Sequence, residues 1–164
     1  MIEICFLKLN HKFLYGCKLN LFAIGLYLIL SLNNQTHANI SLMPDNSETI
    51  TFGKDIYLQE CASCHGKNLA GQANWRERAD KGYMPAPPHD KNGHTWHHSD
   101  HNLFLMTKYG IEKIIGKKYP NNMPAYEDML SDYEIIAVLS YIKSTWPSYI
   151  QIQHDQINTR SNPE

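Results

Sequence analysis

The sequence predicts an all-α domain of three to four helices, and three stretches carry that expectation. Ile50, Phe52, Ile56 and Tyr57 recur at helical spacing on the way into Cys61. Leu103, Phe104, Met106 and Tyr109 follow Ser99-Asp100, and Ile135, Val138, Leu139, Ile142 and Trp146 form one apolar stripe behind Ser131. A length of 164 residues, 43% hydrophobic and 19% charged, suits one small globular domain with terminal extensions. Four cysteines are too few for a disulfide scaffold. A net charge of −1 excludes a chain-wide nucleic-acid surface.

Residues 1–38 read as an export signal. Lys8, Lys12 and Lys18 precede the apolar run Leu19 to Leu32, and Thr36-His37-Ala38 is an acceptable cleavage site. The run is short for a membrane span, and the rival reading is an uncleaved anchor. Cleavage after Ala38 removes those three lysines and Glu3, so the net charge goes from −1 to −3, and Cys5 and Cys17 leave with the leader. The expectation is a periplasmic protein, held at the membrane only if the leader is kept.

Residues 39–48 then read as a linker and 49–146 as the domain. The first helix, about 49–61, carries Gly53, a position that suits the close crossing of another helix. The expected partner is the last helix, where Ser131-Asp132-Tyr133-Glu134 is a capping box and Pro147 a stop. Ser99 caps a middle helix that Gly110 ends, with a short helical piece over Ile111 to Ile115. The polar residues 147–164 are expected to be disordered.

Cys61-Ala62-Ser63-Cys64-His65 matches C-x-x-C-H, the signature of covalent c-type haem attachment. Two thiols three positions apart lie on one side of a helix end and meet the two vinyl groups of one porphyrin. The adjacent histidine reaches the iron from the same face. A zinc site lacks a second ligand pair, and a thioredoxin-like redox pair lacks a βαβ context. The long polar stretch from Lys67 to Ser99 is unusual in a small domain unless it packs on a large cofactor. Within it Trp75, Arg76 and Arg78 are candidate propionate contacts, with Trp96 in the pocket wall.

A second strong axial ligand makes a saturated electron-transfer centre, whereas an open position binds small molecules. The leading candidate is Met123 in Asn122-Met123-Pro124. Met84 in Tyr83-Met84-Pro85 and a bis-histidine arrangement are the alternatives. His89, His94, His97, His98 and His101 fall within thirteen residues, with His97 and His101 spaced i, i+4. They serve either a second metal or the propionates and the helix cap.

Gly53-x-x-Ile56-Tyr57-x-x-x-Cys61-x-x-Cys64-His65-Gly66, then Met123-Pro124-Ala125-Tyr126, then the helix ending Ala137-Val138-Leu139-Ser140-Tyr141-Ile142 resembles the class I c-type cytochromes, bacterial monohaem proteins among them, over about residues 50–146. The resemblance implies a cytochrome c fold around one covalently attached haem c. It also implies a crossing of the first and last helices near Gly53, Tyr57, Val138 and Tyr141, with His65 and Met123 as axial ligands. The expected function is an exported one-electron carrier rather than an enzyme. Lys108, Lys113, Lys117 and Lys118 offer local positive charge to an acidic redox partner. The rivals are a ligand sensor or peroxidase-like enzyme with an open sixth site, and a metal-handling protein built on the histidine cluster.

Overall fold

Asn46 opens the first helix, its side-chain oxygen accepting from the Thr49 N–H at 2.9 Å, and the chain runs helically through Ser47–Ile56 (α1). The computed structural model describes residues 40–79 and 82–161, so the expected leader 1–38 lies outside the described residues. At Gly53 the α1 backbone meets the backbone of Ala137 in α5 (Asp132–Ser144) so closely that a Cβ would overlap the Ala137 carbonyl. Glycine is the residue that permits this approach. Ile56 and Tyr57 then pack with Ile135, Val138, Leu139 and Ile142 in one buried cluster. Tyr57 and Tyr141 meet at 5.5 Å between ring centroids. The crossing expected from the sequence is therefore the centre of the core.

The helix over 49–61 is not uniform. From Tyr57 to Cys61 it widens into a π-helical turn, in which the Ala62 N–H reaches the Tyr57 carbonyl, before Ala62–His65 (α2) tightens again. Gly66, at φ 79°, ends it. A short 3-10 turn at Thr95–His97 precedes Asp100–Tyr109 (α3), which Ser99 caps, and Ile111–Ile115 (α4) follows Gly110. The Ser131–Glu134 capping box of α5 forms in both directions.

Two expectations need correction. The segment assigned as a linker docks on the domain: Leu42 is buried, its N–H donates to Asp100 Oδ2 at 2.9 Å, and the Met43 N–H donates to Ser140 Oγ at 2.9 Å. The tail assigned as disordered is a helix over Ser148–Ser161 (α6), with Ile150 and His154 buried. Pro147 ends one helix and starts the next, its carbonyl accepting from the Ile150 N–H at 2.9 Å. What holds α6 is mostly polar. His154 Nε2–H donates to the His98 carbonyl at 2.9 Å, and Asn158 Oδ1 accepts from the Asp100 N–H at 2.8 Å. Lys143, only 4% exposed, pairs with Asp155 at 2.7 Å. An apolar periodicity does not reveal such a docking face.

Candidate functional site

Cys61 and Cys64 lie where the π-turn passes into α2, both as free thiols, Cys61 half-buried and Cys64 exposed. Burial, with Glu60 and Cys64 adding to it, pushes the Cys61 thiol up to about 12. A thiol held up in this way is a poor nucleophile. Two tyrosines brace the turn from either side: Tyr57 Oη donates to the Gly66 carbonyl at 2.7 Å, and Tyr126 Oη donates to the Glu60 carbonyl at 3.0 Å.

His65 is buried, and its Nδ1 lies 2.8 Å from the Pro87 carbonyl. A carbonyl only accepts, so Nδ1 carries the proton and Nε2 keeps a lone pair free for a metal. Burial holds His65 below the usual histidine range, which favours that neutral form at neutral pH. The loop that supplies Pro87 is tied down along its length. The Gly71 N–H donates to the His65 carbonyl at 2.8 Å, the Gln72 N–H to the Ala86 carbonyl at 2.8 Å, and the His89 N–H to the Leu69 carbonyl at 2.8 Å. Gly71 sits at φ 67°, and a Cβ there would come within 2.5 Å of the Pro88 nitrogen. The long irregular stretch is thus fixed by its own backbone bonds.

Met123 is half-buried against the core. Its N–H donates to Asn121 Oδ1 at 2.9 Å, and Tyr126 links its loop to the cysteine turn and, through a 3.1 Å bond from its own N–H to the Thr107 carbonyl, to α3. The competing methionine is close by in the chain path, since the Met84 N–H donates to the Pro120 carbonyl at 3.0 Å and Met84 bridges in parallel to Asn121. The two Met-Pro segments, far apart in sequence, are neighbours.

A family model described as Cytochrome c matches residues 50–146. The chain belongs to the cytochrome c family. Comparison with curated proteins and with solved structures gives no match. Members of the cytochrome c family carry a covalently attached haem c and serve electron transport, and the residues here fit that group. Cys61 and Cys64 would take the two thioether bonds and His65 Nε2 the iron. Trp96 Nε1–H is buried with no partner among the described protein atoms, a donor suited to an acceptor such as a haem propionate.

The remaining candidates fall elsewhere. Trp75 and Arg76 make a surface stack with His94: the Arg76 guanidinium lies 4.2 Å from the Trp75 ring, and Trp75 and His94 are nearly parallel at 5.2 Å. His97, spaced four residues before His101 across a helix start, lies in the 3-10 turn and stacks on Trp96 at 3.7 Å. Among the described residues no group of three or more His, Cys, Asp or Glu could hold a metal ion. The second-metal reading of the cluster therefore has no ligand set. His89 is the role the sequence did not reveal: its ring stacks on His65 at 3.9 Å between centroids, tilted by 22°. A lone pair of prolines just ahead of it, Pro87-Pro88, was the one available sign that the chain is fixed there. Lys108 and Lys113 are engaged by Asp132 at 2.6 Å and Glu127 at 3.8 Å, which weakens the positive field expected of the four lysines.

Proposed function

We propose that the chain is an exported one-electron carrier in which His65 and Met123 hold opposite faces of the haem iron. The observation that carries this reading is the buried, neutral His65 with Nδ1 tied to Pro87 and Nε2 left free, beside two unpaired thiols one helical turn apart. Bound haem supplies the reversible Fe(III)/Fe(II) couple. The protein's own residues supply the rest. Pro87 orients the imidazole, Trp96 offers its N–H to a propionate, and the Tyr126–Glu60 bond keeps the methionine loop against the cysteine turn. A thioether in the sixth position raises the potential relative to a second histidine and closes the site to small ligands.

Export rests on the basic, apolar and small-residue order of residues 1–38. Among the described residues no helix is long and apolar enough to cross a membrane. The partner is a redox protein that docks near the Tyr109–Met123 surface, where Lys118 and Tyr83 flank a shallow cleft of about 550 Å³. The test is the absorption spectrum of the haem-loaded protein in both oxidation states, with Met123→Ala and Met84→Ala beside it. The ferric protein shows the weak far-red band of methionine ligation, and Met123→Ala alone abolishes it. A ferrous protein that takes up carbon monoxide readily has an open sixth site, and the carrier reading then gives way to a sensor or enzyme.

A further inference from the structure

Helix α6 lies outside the stretch matched to the cytochrome c family, yet its contacts lead to the proximal histidine. His154 is fully buried, anchored by its Nε2–H bond to the His98 carbonyl, and meets the Trp146 ring edge-on at 5.0 Å. Gln151 Nε2–H donates to the Trp146 carbonyl at 3.0 Å, so α6 holds that residue by both its ring and its backbone. Trp146 Nε1–H in turn donates to the His89 carbonyl at 2.7 Å. The His89 ring is fixed at its other end, because Nδ1 lies 2.8 Å from Thr95 Oγ1, whose hydroxyl faces the Pro88 carbonyl at 3.4 Å. Its flat face lies against His65.

We infer that α6, acting through Trp146 and His89, is part of the proximal support and fixes the plane of the His65 imidazole. The inference rests on His65 as the iron ligand. The physical reason is that the Pro87 bond restrains His65 at one atom, Nδ1, and leaves the ring a rocking freedom about that point. A second ring stacked within van der Waals contact removes the tilt on that side, provided it is itself immobile. His89 meets that condition through three bonds, on its N–H, its carbonyl and Nδ1, one of which comes from the residue that α6 clamps. Asn158 and His154 also hold the Asp100 N–H and the His98 carbonyl, so α6 braces the far end of the same loop. His89 and Trp146 are positioning residues in this arrangement.

The orientation of an axial imidazole sets the pattern of paramagnetically shifted haem-methyl resonances in a ferric low-spin haem protein, a signature that a simple loss of stability does not alter in the folded fraction. The experiment records those resonances and the midpoint potential of the full haem-loaded chain, of Trp146→Phe, His89→Ala and His89→Phe, and of a chain ending at Pro147. Trp146→Phe removes the N–H and keeps an aromatic ring, and His89→Phe keeps a stacked ring. Trp146→Phe and His89→Ala each rearrange the methyl pattern in the same sense, the truncated chain does so where it folds, and His89→Phe stays close to the parent. Ile152→Ser, on the exposed face of α6, leaves the pattern unchanged. Parent-like patterns in both Trp146→Phe and His89→Ala overturn the inference while leaving His65 as ligand. A parent protein without low-spin histidine-ligated signals overturns the ligand assignment itself, and the inference with it.

Discussion

The two sides of the haem site are built differently. On the His65 side, the described residues of 66–99 have almost no regular structure, yet backbone bonds recur from Gly71 to His89, and the His89 ring and the Pro87 carbonyl hold the imidazole. On the methionine side, the loop from Pro120 to Tyr126 is held by one asparagine, one bridge to Met84 and one tyrosine, with Asn122, Pro124 and Ala125 exposed. A histidine placed by a rigid surround is ready for metal before the metal arrives. The Met123 thioether sits on a more lightly tethered loop. The difference teaches that irregular backbone and mobile backbone are separate properties, and that hydrogen-bond accounting rather than helix content distinguishes them.

The strongest way to break this contrast is at Gly71. Gly71→Val forces a side chain into the Pro87–Pro88 backbone at a positive φ, and a loss of at least about 2 kcal/mol is expected in the denaturant midpoint of the haem-loaded protein. A midpoint equal to the parent's shows that the His65 side is not rigid. The next effect is acid sensitivity of the same side. Burial, helped by the neighbouring Lys143, holds His154 below its ordinary 6.5, while Asp100 opposes the shift. The folded chain therefore refuses a proton that the unfolded chain accepts below 6.5, and stability falls as the pH drops through that value until the folded histidine also protonates. His154→Gln keeps an N–H for the His98 carbonyl and flattens this slope. An unchanged slope in urea unfolding at stepped pH shows that His154 is not the group responsible.

Smaller effects belong to the methionine side. Tyr126→Phe loses the bond to the Glu60 carbonyl, costs about 1 kcal/mol, and releases the far-red band at lower urea than the parent does. Asn121→Ala removes the acceptor of the Met123 N–H and costs under about 1 kcal/mol, with the band lost on milder warming. Should either variant match Gly71→Val in cost, the two sides are equally fixed.

Much of this was legible because local chemistry signals it. Ser131 and Glu134 announce their own helix, Ser99 and Gly110 bound another, Gly53 marks the crossing, and C-x-x-C-H fixes the cofactor. The helix α6 was not legible, because its inward face is Ile150, His154 and Asn158, two of them polar, and their partners Trp146, His98 and Asp100 lie on other elements. The spacing of Ile150, His154 and Ile157 behind a proline was the signal available, and burying a histidine requires a fold to supply its acceptor. The role of His89 was hidden for the same reason. Its sequence neighbours place it in a cluster open to a second metal or to the propionates, whereas its contacts are with Leu69, Thr95, Trp146 and His65, most of them distant in the chain.

The widened turn at Tyr57–Cys61 lets the helix carry one residue more without turning the cysteines off their face. A π-turn takes in an extra residue, and each residue of an α-helix advances the chain by about 100° around its axis. Deleting a single residue between Tyr57 and Cys61 returns the segment to a regular α-helix, and because the wide turn holds that residue locally, the chain beyond it keeps its heading. Inserting a residue there, beyond what the turn already absorbs, swings both thiols and the following histidine by about 100° away from the Pro87 carbonyl and the Tyr126 hydroxyl. At this turn the chain therefore bears the loss of a residue better than the gain of one, while Leu58 and Gln59 on its exposed flank have room for other side chains.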